Sequence, residues 1–250
     1  MTPDRLLPDR EFALFLDVDG TLLEIAPAPD LVQVPDALRG ILEQVAQRAN
    51  GALALVSGRS LATLDELFSP SVFPAAGLHG VERRDAVGRI TRASADASTL
   101  ATVSSKLQSL VAAHPGLLLE DKGGALALHY RAAPELGEML HKEISLLQQT
   151  LAPQLQLKRG KCVLELLPDG HSKRTAIEAF MREPPFAGRT PIFVGDDVTD
   201  EDGFAAVNAL GGYSVRVGDA PVSVAQYRFP DVSAVIGWLN EGKPHHLTAY

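Results

Sequence analysis

The chain has 250 residues, 46% of them hydrophobic and 22% charged. That composition excludes wholesale disorder and a fibrous protein, and the length allows one large domain or a core with a smaller insert. Asp plus Glu outnumber Lys plus Arg, 31 to 23, for a net charge of −8. With no long basic run, this argues against duplex nucleic acid as a partner, but not against an anionic small molecule at a locally positive site. The one cysteine, Cys162, forms no internal disulfide and fits a reducing compartment. No apolar run approaches the roughly 18 residues of a membrane span. The opening MTPDRLLPDREF has charges where a signal peptide needs an apolar stretch. The expectation is a soluble, cytoplasmic protein with no membrane partner.

In chain order, the run from Phe12 to Val18 meets Asp17 and reads as a buried parallel strand. Leu38, Ile41, Leu42 and Val45 follow helical spacing between Pro35 and the stop at Asn50-Gly51. A second strand, ALALV, breaks into a turn at Ser57-Gly58, and Leu61, Leu64, Leu67 and Phe68 predict a helix ended by Ser69-Pro70. The middle differs. A helix over 99–113 precedes short strands over 117–121 and 125–130, and a helix over 134–151 precedes strands over 155–159 and 162–167. Each strand pair is joined by a Gly-containing turn that implies antiparallel pairing. After this come a strand over 190–195, a helix over 201–210, a strand over 213–217 and a last helix through Val232, Val235, Ile236 and Leu239. The tail, 243–250 with His245-His246, reads as a solvated end. The fold class is therefore α/β: a doubly wound, mostly parallel sheet formed by 1–97 and 168–250, with a smaller α+β unit inserted at 98–167.

Ligands of open α/β sheets bind beyond the carboxyl ends of the strands. Asp17, Asp19 and Thr21 end the first strand there. Ser57, Gly58 and Arg59 end the second, and Asp196, Asp197 and Asp200 follow the 190–195 strand. Lys173 starts a helix after the insert. If these strands are neighbours, one site holds several carboxylates, a lysine and a hydroxyl. Clustered carboxylates must be protonated or neutralised, and oxygen ligands beside a phosphate suit Mg²⁺. A carboxylate can also be the nucleophile of phosphoryl transfer, with Lys173 and the cation holding the developing charge. Taken singly, each piece has a plainer reading: a turn for Ser57-Gly58-Arg59, a solvated amine for Lys173, an acidic helix start for GDDVTDED. A calcium loop at DxDG is disfavoured because Ala28 stands where such a loop ends on an acid. Their common order at strand ends favours the joint site.

These residues resemble the motifs of the haloacid dehalogenase superfamily. The resemblance implies Asp17 as nucleophile and Asp19 as general acid and then base. Ser57 and Lys173 would bind the phosphoryl group. Mg²⁺ would be held by Asp17, the Asp19 carbonyl and Asp196, with Asp200 and Asp197 behind them. It also adds Thr21, Gly58, Arg59 and His79 to the substrate-binding set, although His79 alone reads equally as a residue that hydrogen-bonds a turn.

GLHG at 77–80, LEDKGGALALHYR at 119–131, the segment Gly160 to Glu165 and GDDVTDEDGF together resemble the trehalose-6-phosphate phosphatase family across nearly the whole chain. That resemblance implies hydrolysis of trehalose 6-phosphate and a functional link to a trehalose-6-phosphate synthase. The insert becomes a cap that closes over the sugar through joints near 92–98 and 168–171, with Glu120, Lys122, Lys161 and Glu165 as sugar ligands. Residues two or four apart share a strand face, so Glu120 with Lys122, and Lys161 with Glu165, form pairs that either bind hydroxyls or make cross-strand salt bridges. Another sugar phosphate, such as sucrose 6-phosphate or a glycosylglycerate phosphate, is the nearest rival substrate. A non-catalytic sugar-phosphate sensor is the rival class, disfavoured by the intact acid at Asp19.

Overall fold

In the computed structural model, the described residues are 11–25, 32–93, 95–243 and 246–249. The apolar run Phe12–Leu16 is strand β1, and every residue of it is buried. Helix α1, Asp36–Arg48, buries Leu38, Leu42 and Val45, one face of a 3.6-residue period. Strand β2, Leu53–Val56, and helix α2, Leu61–Phe68, follow; Ser60 caps α2 by accepting a hydrogen bond from the Thr63 N–H. Three short strands come next: β3, Ala75–Gly77, β4, Glu82–Arg84, and β5, Ile90–Arg92.

The inserted unit has helix α3, Ala97–Ala113, strands β6, Leu118–Asp121, and β7, Leu126–His129, then helix α4, Gly137–Leu151, and strands β8, Leu155–Gly160, and β9, Val163–Pro168. The chain returns to the first unit with helix α5, Lys173–Phe180, whose start is a reciprocal capping box between Ser172 and Thr175. Strand β10, Thr190–Gly195, helix α6, Glu201–Ala209, strands β11, Tyr213–Val217, and β12, Tyr227–Phe229, helix α7, Val232–Glu241, and strand β13, Thr248–Ala249, complete it.

Two compact units result, 1–91 with 172–250, and 92–171. Among the described residues the larger unit's sheet has nine strands in the order β13-β12-β11-β10-β1-β2-β3-β4-β5. From β12 across to β3 the pairing is parallel; β13 runs antiparallel to β12, and β4 antiparallel to β3. β1 lies between β10 and β2, so three chemistry-bearing strand ends are adjacent. Beneath them Phe15, Phe180 and Phe186 pack with ring centroids 4.9–5.9 Å apart. Each such buried ring contributes roughly 1.5–3 kcal/mol.

The smaller unit's sheet is antiparallel throughout, in the order β6-β7-β9-β8. Its apolar face, Leu126, Leu128, Leu155, Leu164 and Leu166, packs on Val103, Leu107, Leu140 and Ile144 of α3 and α4. Ser98 falls within α3 and Leu167 within β9, so the compact unit extends a few residues past both expected insert limits.

The described tail is exposed as expected apart from Leu247, but it is tied to the sheet. Thr248–Ala249 pair antiparallel with β12, and Leu247 is buried, because the edge of β12 offers backbone groups that a neighbouring strand can satisfy. Of the readings made above, the first ten residues, Ala28, Ser94 and His245 lie outside the described residues. Among the described residues no helix is long and apolar enough to cross a membrane.

Candidate active site

Four segments of the larger unit converge at the carboxyl ends of β10, β1 and β2. Asp17 follows β1, and its N–H donates to the Val194 carbonyl on β10 at 2.9 Å, so the parallel ladder itself sets its height. Lys173, the first residue of α5, is 2% exposed. Its Nζ donates to Asp17 Oδ1 at 2.7 Å and to Asp200 Oδ1 at 2.5 Å. The other oxygen of Asp200 accepts the N–H groups of Asp196 at 3.0 Å and Asp197 at 2.9 Å. Asp200 is therefore engaged on both oxygens. It is a strut between the lysine and the 196–200 turn.

Two glycines make room for these carboxylates. Gly20 has φ +82°, and a Cβ there would lie 2.1 Å from an Asp196 carboxylate oxygen. At Gly195 a Cβ would lie 2.3 Å from the Asp200 carboxyl carbon. Oxygen atoms of Asp17, Asp196 and Asp200 come within 4.8 Å of one another. This all-oxygen set, with Gly20 keeping space beside Asp196, fits Mg²⁺. Asp197 instead caps the short 3₁₀ turn Val198–Asp200.

The electrostatics are unbalanced in a telling way. Burial pushes the Asp17 carboxyl well above the usual carboxylate range. Lys173 pulls it down, and Asp200 and Asp196 push it up again. Burial works against the Lys173 charge, yet Asp17 and Asp200 outweigh it and hold the amine protonated above its ordinary range. One ammonium cannot neutralise three carboxylates, so Asp17 keeps affinity for a proton until another cation arrives.

Asp19, half-buried, accepts two hydrogen bonds from Arg59, at 2.7 Å from Nε and 2.8 Å from Nη2. Ser57 is buried after β2, and its Oγ accepts the Arg59 N–H at 3.1 Å. Thr21 Oγ1 is buried without a hydrogen-bond partner. His79 is buried at φ +55°, its N–H donates to the Ser57 carbonyl, and its ring lies 2.8 Å from where a Gly58 Cβ would stand. The turn hydrogen bond is present, and the ring packs on the strand-end loop.

In the smaller unit, side chains opposite the apolar face alternate with it. Glu120, Ala127, Glu165 and Lys158 align across β6, β7, β9 and β8. Lys122 Nζ reaches Glu165 at 2.8 Å and Glu120 at 3.9 Å, and His129 Nε2 lies 2.9 Å from Glu120. The hydrogen bond from His129 holds the Glu120 carboxyl below its usual range against the cost of burial, and Lys122 adds to this. The close partner of Glu165 is Lys122, not Lys161, which stands exposed in the turn between β8 and β9.

From the sequence, His129 stays open between a substrate contact and the core or rim of the insert, while Lys158 and the pair Arg216–Glu201 carry no assignment. The signal for Arg216 was present: a lone charge inside the apolar strand YSVRV. Glu201 sat unassigned inside GDDVTDED.

A mostly parallel sheet with an acidic Asp17–Lys173–Asp200 constellation at its carboxyl edge, and an α+β unit inserted in the chain between its strands, defines a protein of the haloacid dehalogenase type. Residues 15–231 match the family model described as trehalose-phosphatase, and the chain belongs to that family. It is 48% identical over 229 residues to a trehalose-6-phosphate phosphatase of Escherichia coli, covering 92% of this chain and 85% of that one. It is 45% identical over 227 residues to a probable trehalose-phosphate phosphatase of Sinorhizobium fredii, covering 90% and 85%. The C-terminal domain of a trehalose-6-phosphate phosphatase from C. albicans shares the fold at TM-score 0.84 and 24% identity, over 93% and 92% of the two chains.

Proposed function

We propose that this protein hydrolyses trehalose 6-phosphate to trehalose and inorganic phosphate with Mg²⁺, through a phosphoaspartate at Asp17. The observation that carries the reading is the buried Asp17, oriented by Lys173 and crowded by Asp196 and Asp200, in a chain of this family. When bound, Mg²⁺ would neutralise charge on the phosphoryl oxygens and on Asp17; Asp17, Asp196 and the Asp19 carbonyl would hold it, with Asp200 and Asp197 supporting.

An Asp17 oxygen attacks phosphorus as the bond to the sugar oxygen breaks. Asp19 gives its proton to that departing oxygen. Asp19, now a carboxylate, takes a proton from water. The water oxygen attacks phosphorus, the bond to Asp17 breaks, and phosphate leaves. Lys173, Ser57 and Arg59 hold the transferring group, beside Thr21, Gly58 and His79. For Arg59 this means exchanging its grip on Asp19 for the phosphate, which frees the acid. Glu120, Lys122, Lys161 and Glu165 bind sugar hydroxyls.

The proposal includes a cytoplasmic setting, which the lone Cys162 fits, and a functional link to a synthase that supplies the substrate. The test is phosphate release from trehalose, sucrose and glucose 6-phosphates, with Mg²⁺ and with EDTA. Mg²⁺-dependent preference for trehalose 6-phosphate is expected. Equal Mg²⁺-dependent release from all three overturns the sugar assignment, and release undiminished by EDTA overturns the metal's role.

A further inference from the structure

Arg216 is a buried cation in the middle of β11, 6% exposed. In the ladder it stands opposite Gly195, the residue just before Asp196. Its Nη2 donates to the Asp196 carbonyl at 2.6 Å, and its Nη1 to Glu201 Oε1 at 2.9 Å. Glu201 opens α6 and is fully committed. Its Oε1 also accepts from Ser223 Oγ at 2.7 Å, and its Oε2 accepts the Val224 N–H at 2.8 Å.

The backbone of residue 196 is thus gripped at both ends. Asp200 takes its N–H, and Arg216 takes its C=O. With both peptide groups fixed, the Asp196 carboxylate has only its own side-chain torsions left to choose from. A metal ligand in this condition has already lost the freedom that binding would otherwise remove. The charge of Arg216 is matched by Glu201 at 2.9 Å, so it does not stand uncompensated beside the cation site.

We infer that Arg216 is a positioning residue for Asp196: it sets the cation affinity of the site without touching substrate, and Glu201 anchors it to the 223–224 loop. The inference rests on the metal site of the proposed function and adds a residue to it. Charged groups buried in apolar strands are costly unless paired, which gives a reason for Glu201 to sit where it does within GDDVTDED.

The experiment is titration calorimetry of Mg²⁺ into EDTA-stripped protein, unaltered and as Arg216→Met, with far-UV circular dichroism to establish folding. Arg216→Met is expected to weaken Mg²⁺ binding about 10–100-fold. Phosphatase activity should return as Mg²⁺ is raised, with KM for the phosphate ester unchanged at saturation. A folded Arg216→Met protein that binds Mg²⁺ as tightly as the unaltered one overturns the inference. If that variant does not fold, Arg216→Lys decides: it keeps a cation beside Glu201 but lacks the planar fork whose two separate nitrogens reach the Asp196 carbonyl and Glu201, so weaker Mg²⁺ binding is expected and unchanged binding is refuting. Absence of Mg²⁺ binding by the unaltered protein would overturn the metal site itself, a distinct result.

Discussion

Replacing Lys173 by Met keeps an unbranched apolar stem and removes the ammonium that lies 2.7 Å from Asp17 and 2.5 Å from Asp200. All three groups are buried, so solvent cannot take the lysine's place. Removing one partner of a buried ionic set costs about 3–5 kcal/mol. At about 2–4 °C per kcal/mol for a unit of this size, the melting temperature should drop by about 6–20 °C. The deficit should depend on pH, with a definite sign. The folded Asp17 carboxyl titrates well above its ordinary 3.8, chiefly through burial. A group raised on folding stabilises fully below its unfolded value, and that stability is lost as pH rises through the folded value. Without Lys173 the folded value rises further, so the variant's deficit should be largest near pH 8. It should shrink by up to about 1.4 kcal/mol per pH unit as acid supplies the missing positive charge. Mg²⁺ should also recover part of it. Thermal melts at pH 5 to 8, with and without Mg²⁺, read all of this. Equal melting temperatures of variant and parent at pH 8 without metal would refute the reasoning that the lysine is the charge keeping these carboxylates together.

Mg²⁺ binding to the unaltered protein should release a proton in the range where Asp17 is protonated, since the ligand must be a carboxylate. Apparent affinity should therefore fall up to about tenfold per unit as pH drops below the raised Asp17 value; calorimetry in buffers of different ionisation enthalpy measures it, and pH-independent affinity would refute it. Glu165→Ala should raise KM for trehalose 6-phosphate at least about tenfold, the scale of one lost charge-assisted hydrogen bond of about 1.5–3 kcal/mol. Turnover of a small aryl phosphate should stay near its parent value, and a parallel loss on both substrates would refute a sugar-binding role.

What could be read before folding was the chemistry that sits at strand ends. Asp17, Asp19, Ser57 and Lys173 each follow an apolar run or a helix-start signal, and such signals are local. The small strands β3, β4 and β12 left no such trace: three residues are too few for alternation to stand out, and their existence depends on neighbours already in place. The partner of Glu165 was misjudged for a related reason. Same-strand spacing pointed to Lys161, whereas the ladder brings Lys122 across from another hairpin. Arg216 was visible as an oddity in YSVRV, but its purpose became legible only when β11 lay beside β10 and brought it to the Asp196 carbonyl.

The central pairing of the larger sheet joins Phe12 of β1 to Thr190 of β10, with the whole inserted unit between them in the chain. A ribosome adding about 5–20 residues per second needs roughly 10–35 s to travel that distance. During this interval nascent β1 has only β2 as a neighbour, and one edge of FALFL stays uncovered. The antiparallel sheet of 92–171 has no such wait, because all its partners are emitted together. The inserted unit is therefore expected to fold before the larger sheet can close. Nascent chains halted before Gly195 should expose an aggregation-prone strand edge that the finished protein never shows.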